Sequence, residues 1–151
     1  MKILVFSDSH GYTATMIDAI NSNKPDCVIF LGDIHADCNV LSRYFPTLAI
    51  CEVCGNNDWH CDVQTEAVVT YGGIKFFITH GHKYGVKSGL SLLSAAARRN
   101  GCTVALYGHT HVRAEEDVNG VLCLNPGSVG YSDGYMLLET TNGELKTIKI
   151  N

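Results

Sequence analysis

The chain has 151 residues, 46% of them hydrophobic and 17% charged, with a formal net charge of −4. A chain of this length removes roughly 68–70% of its extended surface on folding, enough for one real core, and the balance excludes disordered and fibrous classes. The negative charge and the scattered placement of the 11 Lys and Arg residues argue against a nucleic-acid surface, which needs clustered cations. From the amino end, Lys2 to Phe6 is a short apolar, β-branched run that reads as a buried strand, followed by the polar loop Asp8-Ser9-His10-Gly11. Thr13 to Asn23 places Met16, Ile17 and Ile20 at helical spacing, and Pro25 stops the pattern. Cys27 to Leu31 is a second strand ending in Gly32-Asp33, Val40 to Tyr44 a short helix, and Leu48 to Val53 a third strand ending in Gly55-Asn56-Asn57-Asp58. Strand, loop and helix in repetition predict a parallel sheet with its functional loops at the carboxyl ends of the strands.

The second half changes character. Gly72-Gly73 joins Ala67 to Tyr71 with Ile74 to Thr79, and Asn119-Gly120 and Asn142-Gly143 mark two further hairpins, so the last third is expected to be mostly antiparallel. Between them Gly89 to Asn100 reads as a helix capped by Gly101, with Arg98 and Arg99 at its negative pole, and Thr103 to Tyr107 as another strand. No linker or repeat interrupts the chain, so residues 1–151 are read as one α/β domain in which two sheets stack with helices outside.

Seven cysteines cannot all pair, and several lie in apolar runs where a thiol packs as a small hydrophobe. The apolar start meets Asp8 and His10 too soon for a signal-peptide core, and no run approaches the roughly 20 apolar residues that cross a bilayer. These features predict a reducing, cytoplasmic setting. Cys51 and Cys54 have knuckle-like spacing but no second pair, and both are read as packing residues; His60 and Cys61 are read as outside the site, with a place at its edge as the alternative, and Trp59 as packed on its own loop, with stacking on a base as the alternative.

Chelating residues recur directly after successive strands: Asp8 and His10, Asp33, Asn56, His80, then His109 and His111. Strand ends converge on one crevice, so residues far apart in sequence can share a site. Taken singly, Asp8-Ser9-His10 is a capping loop, Gly32-Asp33 a turn, Gly55-Asn56-Asn57-Asp58 a turn with Asn in left-handed geometry, and His80-Gly81-His82 an exposed loop. Gly108-His109-Thr110-His111 is more specific, because two histidines two apart after a buried strand chelate metals. Oxygen ligands mixed with imidazole suit manganese, iron, zinc or nickel better than calcium or magnesium.

In order, these blocks resemble those of the calcineurin-like metallophosphoesterases, in particular their small single-domain bacterial and archaeal phosphodiesterases: D-x-H, G-D, G-N-x-D, H-G and G-H-x-H, with Asn125-Pro126-Gly127-Ser128 extending the match. The resemblance implies a four-layer α-β-β-α sandwich with two mixed β-sheets. It assigns Asp8, His10 and His111 to one divalent cation and Asn56, His80 and His109 to another, with Asp33 bridging, manganese being the first expectation for both. It further implies in-line phosphoester hydrolysis, most simply of a small phosphodiester, by a hydroxide shared between two cations. Many relatives carry a His after the Asn ligand. Here Asn57 stands there and cannot supply a proton, so its expected role is to donate to a phosphate oxygen, with His82 or His35 as substitute acid. A phosphomonoesterase of the same fold, a metal-binding sensor and a non-catalytic scaffold like the retromer subunit are the alternatives. A nucleotide-like substrate and a homodimer are both compatible with the residues, and a membrane partner is not expected.

Overall fold

The computed structural model describes residues 1–132 and 134–150, the side chains of 149 and 150 excepted. Strands β1 (Lys2–Phe6), β2 (Cys27–Phe30) and β3 (Ala49–Glu52) alternate with helices α1 (Thr13–Asn23) and α2 (His35–Tyr44). There follow β4 (Glu66–Tyr71), β5 (Ile74–Thr79), α3 (Ser91–Arg99), β6 (Val104–Leu106), β7 (Ala114–Val118), β8 (Val121–Asn125), the short α4 (Val129–Ser132), β9 (Tyr135–Thr141) and β10 (Glu144–Ile150). They form two mixed five-stranded sheets, ordered β10-β9-β1-β2-β3 and β4-β5-β6-β8-β7. In the first, parallel β1, β2 and β3 are joined on one side by the antiparallel β9-β10 hairpin; in the second, parallel β5, β6 and β8 carry an antiparallel strand at each edge, β4 and β7. The expectation of a mostly antiparallel last third therefore holds for the β7-β8 and β9-β10 hairpins, while the other edge of β8 pairs parallel with β6.

The alternation of side chains along each strand assigns every apolar residue to a layer. Ile3 and Val5 of β1 join Cys27, Ile29, Ile74, Phe76, Ile78, Leu106 and Leu138 in the core between the sheets. Leu4 and Phe6, pointing the other way, pack with Val28, Phe30 and the apolar faces of α1 and α2, which supply Met16, Ile20 and Leu41. Phe77, Ala105 and Cys123 leave the second sheet on its far side to meet Leu93, Ala96 and Ala97 of α3. Three apolar layers between helix, sheet, sheet and helix are the four-layer sandwich that the sequence predicts. All three hairpin turns have both central residues at positive φ, the turn whose twist matches the paired strands, which is why Gly72-Gly73, Asn119-Gly120 and Asn142-Gly143 were legible.

The start of α2 differs from expectation: it begins at His35, five residues before Val40. Its cap is remote in sequence. One carboxylate oxygen of Asp58 accepts the N–H groups of Ile34 (3.0 Å) and His35 (2.7 Å), and the other those of Asp33 (3.0 Å) and Gly55 (2.7 Å). An anion at the positive pole of α2 satisfies donors that the helix itself leaves open.

The cysteines also depart from the all-thiol expectation. Cys54 and Cys61 form a disulfide, while Cys27, Cys38, Cys51, Cys102 and Cys123 remain free. After Gly55 the chain turns back until the Cys54 N–H bonds the Gln64 carbonyl at 3.0 Å, which brings the two Cα atoms to 6.4 Å, within bridging range. Trp59 on this loop is 84% exposed rather than packed, because the loop is held by its backbone, Asp58 and the disulfide, with no use of the indole. Among the described residues, no helix is long and apolar enough to cross a membrane.

Candidate metal centre

The carboxyl ends of β1, β2, β5 and β6 point to one edge of the sandwich, and there the expected ligands meet. Ligand atoms of Asp8, His10 and His111 all lie within 4.8 Å of one another, as do those of Asp8, Asp33 and His80. Asp8 belongs to both groups, although the family resemblance gives the bridging role to Asp33. His109 adjoins them, its ring 5.1 Å from that of His80. His82 lies 5.5 Å from His80 and 6.1 Å from His109 by the same measure.

Two glycines let the loops approach this closely. A Cβ on Gly55 would fall 2.0 Å from Asp33 Oδ1, and one on Gly108 would fall 1.9 Å from Ser7 Oγ and 2.8 Å from Asp8 Oδ2. The backbone is also distorted where the ligands are. Asp8, His10, Asp33, His109 and His111, five of the seven expected ligands, have positive φ, a conformation that persists only where surroundings enforce it.

Each buried donor is oriented through its other atom. The Oδ2 atom of Asp8 accepts from Ser7 Oγ (2.6 Å) and from the His109 N–H (3.0 Å). That leaves Oδ1, 3.1 Å from His111 Nε2 but without hydrogen-bond alignment. His80 bonds the Leu31 carbonyl through Nδ1 at 2.8 Å; a carbonyl only accepts, so Nδ1 carries the proton and Nε2 is the free lone pair. Nε2 of His80 lies 3.5 Å from Asp33 Oδ1 and 3.8 Å from Asp8 Oδ1. Burial pushes the His82 and His109 imidazoles below the ordinary histidine value.

These features fit a divalent cation. Asp8 Oδ1, His10 Nε2, His80 Nε2 and His82 Nδ1 are buried atoms without a hydrogen-bond partner. Asp8 and Asp33 are fully buried, and among the described residues no Lys or Arg is buried to offset them. Buried carboxylates and open imidazole nitrogens in this density are costly unless a cation joins them.

The loop after β3 differs from the expected geometry. Asn56 and Asn57 are both exposed, and it is Asn57 that reaches the cluster: its backbone N–H donates to Asp33 Oδ1 (3.1 Å) and its amide to Asp33 Oδ2 (2.7 Å). Asn57, expected to donate to a phosphate oxygen, thus has the carboxylate of Asp33 as its partner. His35 pairs with Glu52 at 2.7 Å, which commits one ring nitrogen elsewhere.

Several supporting residues were not singled out in the sequence. Asp58 ties the β2 and β3 loops together. The carboxylate of Asp37 accepts from Ser9 Oγ and the Gly11 N–H, both at 2.7 Å, fixing the loop that carries His10. Ser128 donates to the Asp8 carbonyl at 2.8 Å, and Asn125 to that of Gly108 at 3.0 Å, which explains the Asn-Pro-Gly-Ser segment. The only signal for Asp58 was its place in the G-N-x-D block; Asp37 and Ser128 act across 26 and 120 residues, beyond any local pattern.

The fold and the site together define a metal-dependent phosphoester hydrolase. Residues 1–143 match the calcineurin-like phosphoesterase superfamily domain, and the chain belongs to that family. It is 32% identical to a probable metallophosphoesterase, YsnB, of Bacillus subtilis, over 85% of this chain and 75% of that one. It is 30% identical to the phosphodiesterase MJ0936 of Methanocaldococcus jannaschii, over 98% of both chains. The zinc complex of Vps29 from Entamoeba histolytica shares the fold with a TM-score of 0.78 at 24% identity, over 99% of this chain and 98% of that one.

Proposed function

We propose that the chain is a dinuclear phosphodiesterase acting on a small, singly charged phosphodiester. One cation would be held by Asp8, His10 and His111 and the other by Asp33, His80, His109 and the Asn56-Asn57 loop. The observation that carries the reading is that two three-residue ligand groups share one buried carboxylate, Asp8. Mixed imidazole and carboxylate donors suit manganese, iron, zinc or nickel, and the family resemblance makes manganese the first expectation.

Bound divalent cations supply Lewis acidity to the phosphoryl oxygens and acidify water toward neutrality. Asp8 and Asp33 contribute the negative charge that keeps two such cations close. Asn57 holds Asp33 in place through its amide. His82, whose pKa burial lowers, is biased toward the neutral imidazole, which suits it to donating a hydrogen bond to a phosphoryl oxygen rather than a proton to a leaving alcohol. Substrates with good leaving groups are therefore favoured. The lack of a buried Lys or Arg among the described residues also favours a diester, since a monoester dianion brings a second charge to neutralise.

The test compares 4-nitrophenyl diester and monoester hydrolysis by manganese-loaded protein and by Asp33→Ala, with metal content measured alongside. The diester should be cleaved faster, and Asp33→Ala should lose both metal and activity. Faster monoester hydrolysis would make the chain a phosphomonoesterase. Bound metal with no hydrolysis of either substrate would favour a scaffold.

A further inference from the structure

Among the described residues, eight large hydrophobic side chains are exposed, and four of them, Tyr12, Trp59, Val112 and Tyr131, stand on or against the loops of the metal centre. Of these Tyr131 has defined contacts with expected ligands. Its ring stacks on His111, with centroids 5.0 Å apart and planes at 17°, and meets His10 edge-on at 5.1 Å. It is nevertheless 71% exposed. One ring face is therefore covered by an imidazole that belongs to the site, a second imidazole meets the ring, and most of what remains stands in water.

The backbone beneath Tyr131 is tied to the same loop. Its N–H donates to Ser128 Oγ at 3.1 Å, Ser128 Oγ donates to the Asp8 carbonyl, and the N–H groups of Val129 and Gly130 bond the carbonyls of Ser7 (3.1 Å) and Asp8 (3.2 Å). Three of these bonds tie the ring's support to Ser7 and to Asp8, the residue shared by both ligand groups. An exposed aromatic held rigidly loses little freedom when a second flat group stacks on it, which is where such a contact is most favourable.

We propose that Tyr131 is a specificity-determining residue of this site, and that its open face stacks on a flat aromatic group carried by the phosphoester, aryl or nucleobase. The inference rests on the phosphodiesterase reading and adds the chemical class of the substrate's organic part. The stacking partner is the ester group that stays on phosphorus.

The experiment holds the leaving group constant. Three 4-nitrophenyl phosphodiesters, whose second ester is methyl, phenyl or 5′-thymidyl, are compared with manganese-loaded wild type, Tyr131→Ala and Tyr131→Phe. Stacking predicts kcat/KM about tenfold higher for an aromatic second ester than for methyl, carried mainly by KM. Tyr131→Ala should bring that ratio to about one, and Tyr131→Phe should keep it, because the ring and not the hydroxyl acts. Preference for thymidyl alone assigns a nucleobase, and preference for phenyl alone a simple aryl group. Equal kcat/KM for all three esters in wild type, or a ratio that survives in Tyr131→Ala, overturns the proposal; a purely structural support of His111 would lower all three rates together. If no diester is cleaved, the hydrolase reading fails, and calorimetry of metal-loaded protein with phenyl and methyl phosphate still decides the residue. Tighter phenyl phosphate binding that Tyr131→Ala erases upholds it, and equal affinities reject it.

Discussion

The two sheets contribute differently to one site. The β1, β2 and β3 loops of the first sheet bring the carboxylates and amides, Asp8, Asp33 and Asn57, together with His10, while the β5 and β6 loops of the second bring His80, His82, His109 and His111. On the first side the charged groups are heavily hydrogen-bonded: Asp58 takes four backbone N–H groups, Asp37 two donors, and Asp8 two. On the second side a buried imidazole such as His80 has one nitrogen satisfied and the other open. The difference follows from charge. A buried carboxylate is costly without several donors, whereas a neutral imidazole needs one partner and offers its remaining lone pair.

Removing the carboxylate common to both ligand groups should break the comparison most severely. Asp8→Ala is expected to abolish binding of both cations of the proposed dinuclear centre and to lower activity well beyond the roughly 10–100-fold that loss of an outer hydrogen-bond partner produces, as measured by elemental analysis and diesterase assay. Retention of one full metal equivalent would show that the two sides bind independently.

Asp58→Ala comes next, since it strips four N–H groups of their acceptor without touching a ligand atom. Metal affinity should fall by roughly 10–100-fold and stability by about 3 kcal/mol; a denaturant titration of the metal-free protein that matches wild type would contradict the cap.

Gly108→Ala probes the contact between the sheets. Its Cβ would overlap Ser7 Oγ and crowd Asp8, so a loss of about 2 kcal/mol is expected, with weakened metal binding that a surface glycine such as Gly120 would not share.

The smallest effect is a pH dependence away from the site. Burial raises the thiols of Cys27 to about 12 and Cys123 to about 11, and the phenol of Tyr107 to about 12; burial and then the hydrogen bond to Glu66 raise Tyr84 to about 12. The folded state thus holds these protons more tightly than the unfolded chain. Their stabilising contribution is complete below about 9, where unfolded thiols begin to ionise, and is lost as pH rises toward 12. Melting temperature should fall across this interval, and Cys27→Ala should shallow the fall; an unchanged slope would show that the buried thiols are not its source.

The sequence by itself determined the sheet-forming runs, the three glycine-marked hairpins and which Asp and His residues stand at the strand ends as candidate ligands, because each depends on local backbone preference or on a side chain placed directly after an apolar strand. The end of α3 was equally local: the Gly101 N–H bonds the Arg98 carbonyl, and that of Cys102 the Ala97 carbonyl, a cap a single glycine announces. Tertiary structure decided what joins distant segments. Asp58 capping α2 from 23 residues away, Asn57 rather than Asn56 turning to Asp33, and Cys54 finding Cys61 depend on the pairing of β2 with β3 and the path of the loop beyond it, while Tyr131 lies on His111 only because the two sheets close face to face. The physical reason is that a strand's alternation fixes which way a residue points, while the partner it meets is set by the packing of layers built from other parts of the chain.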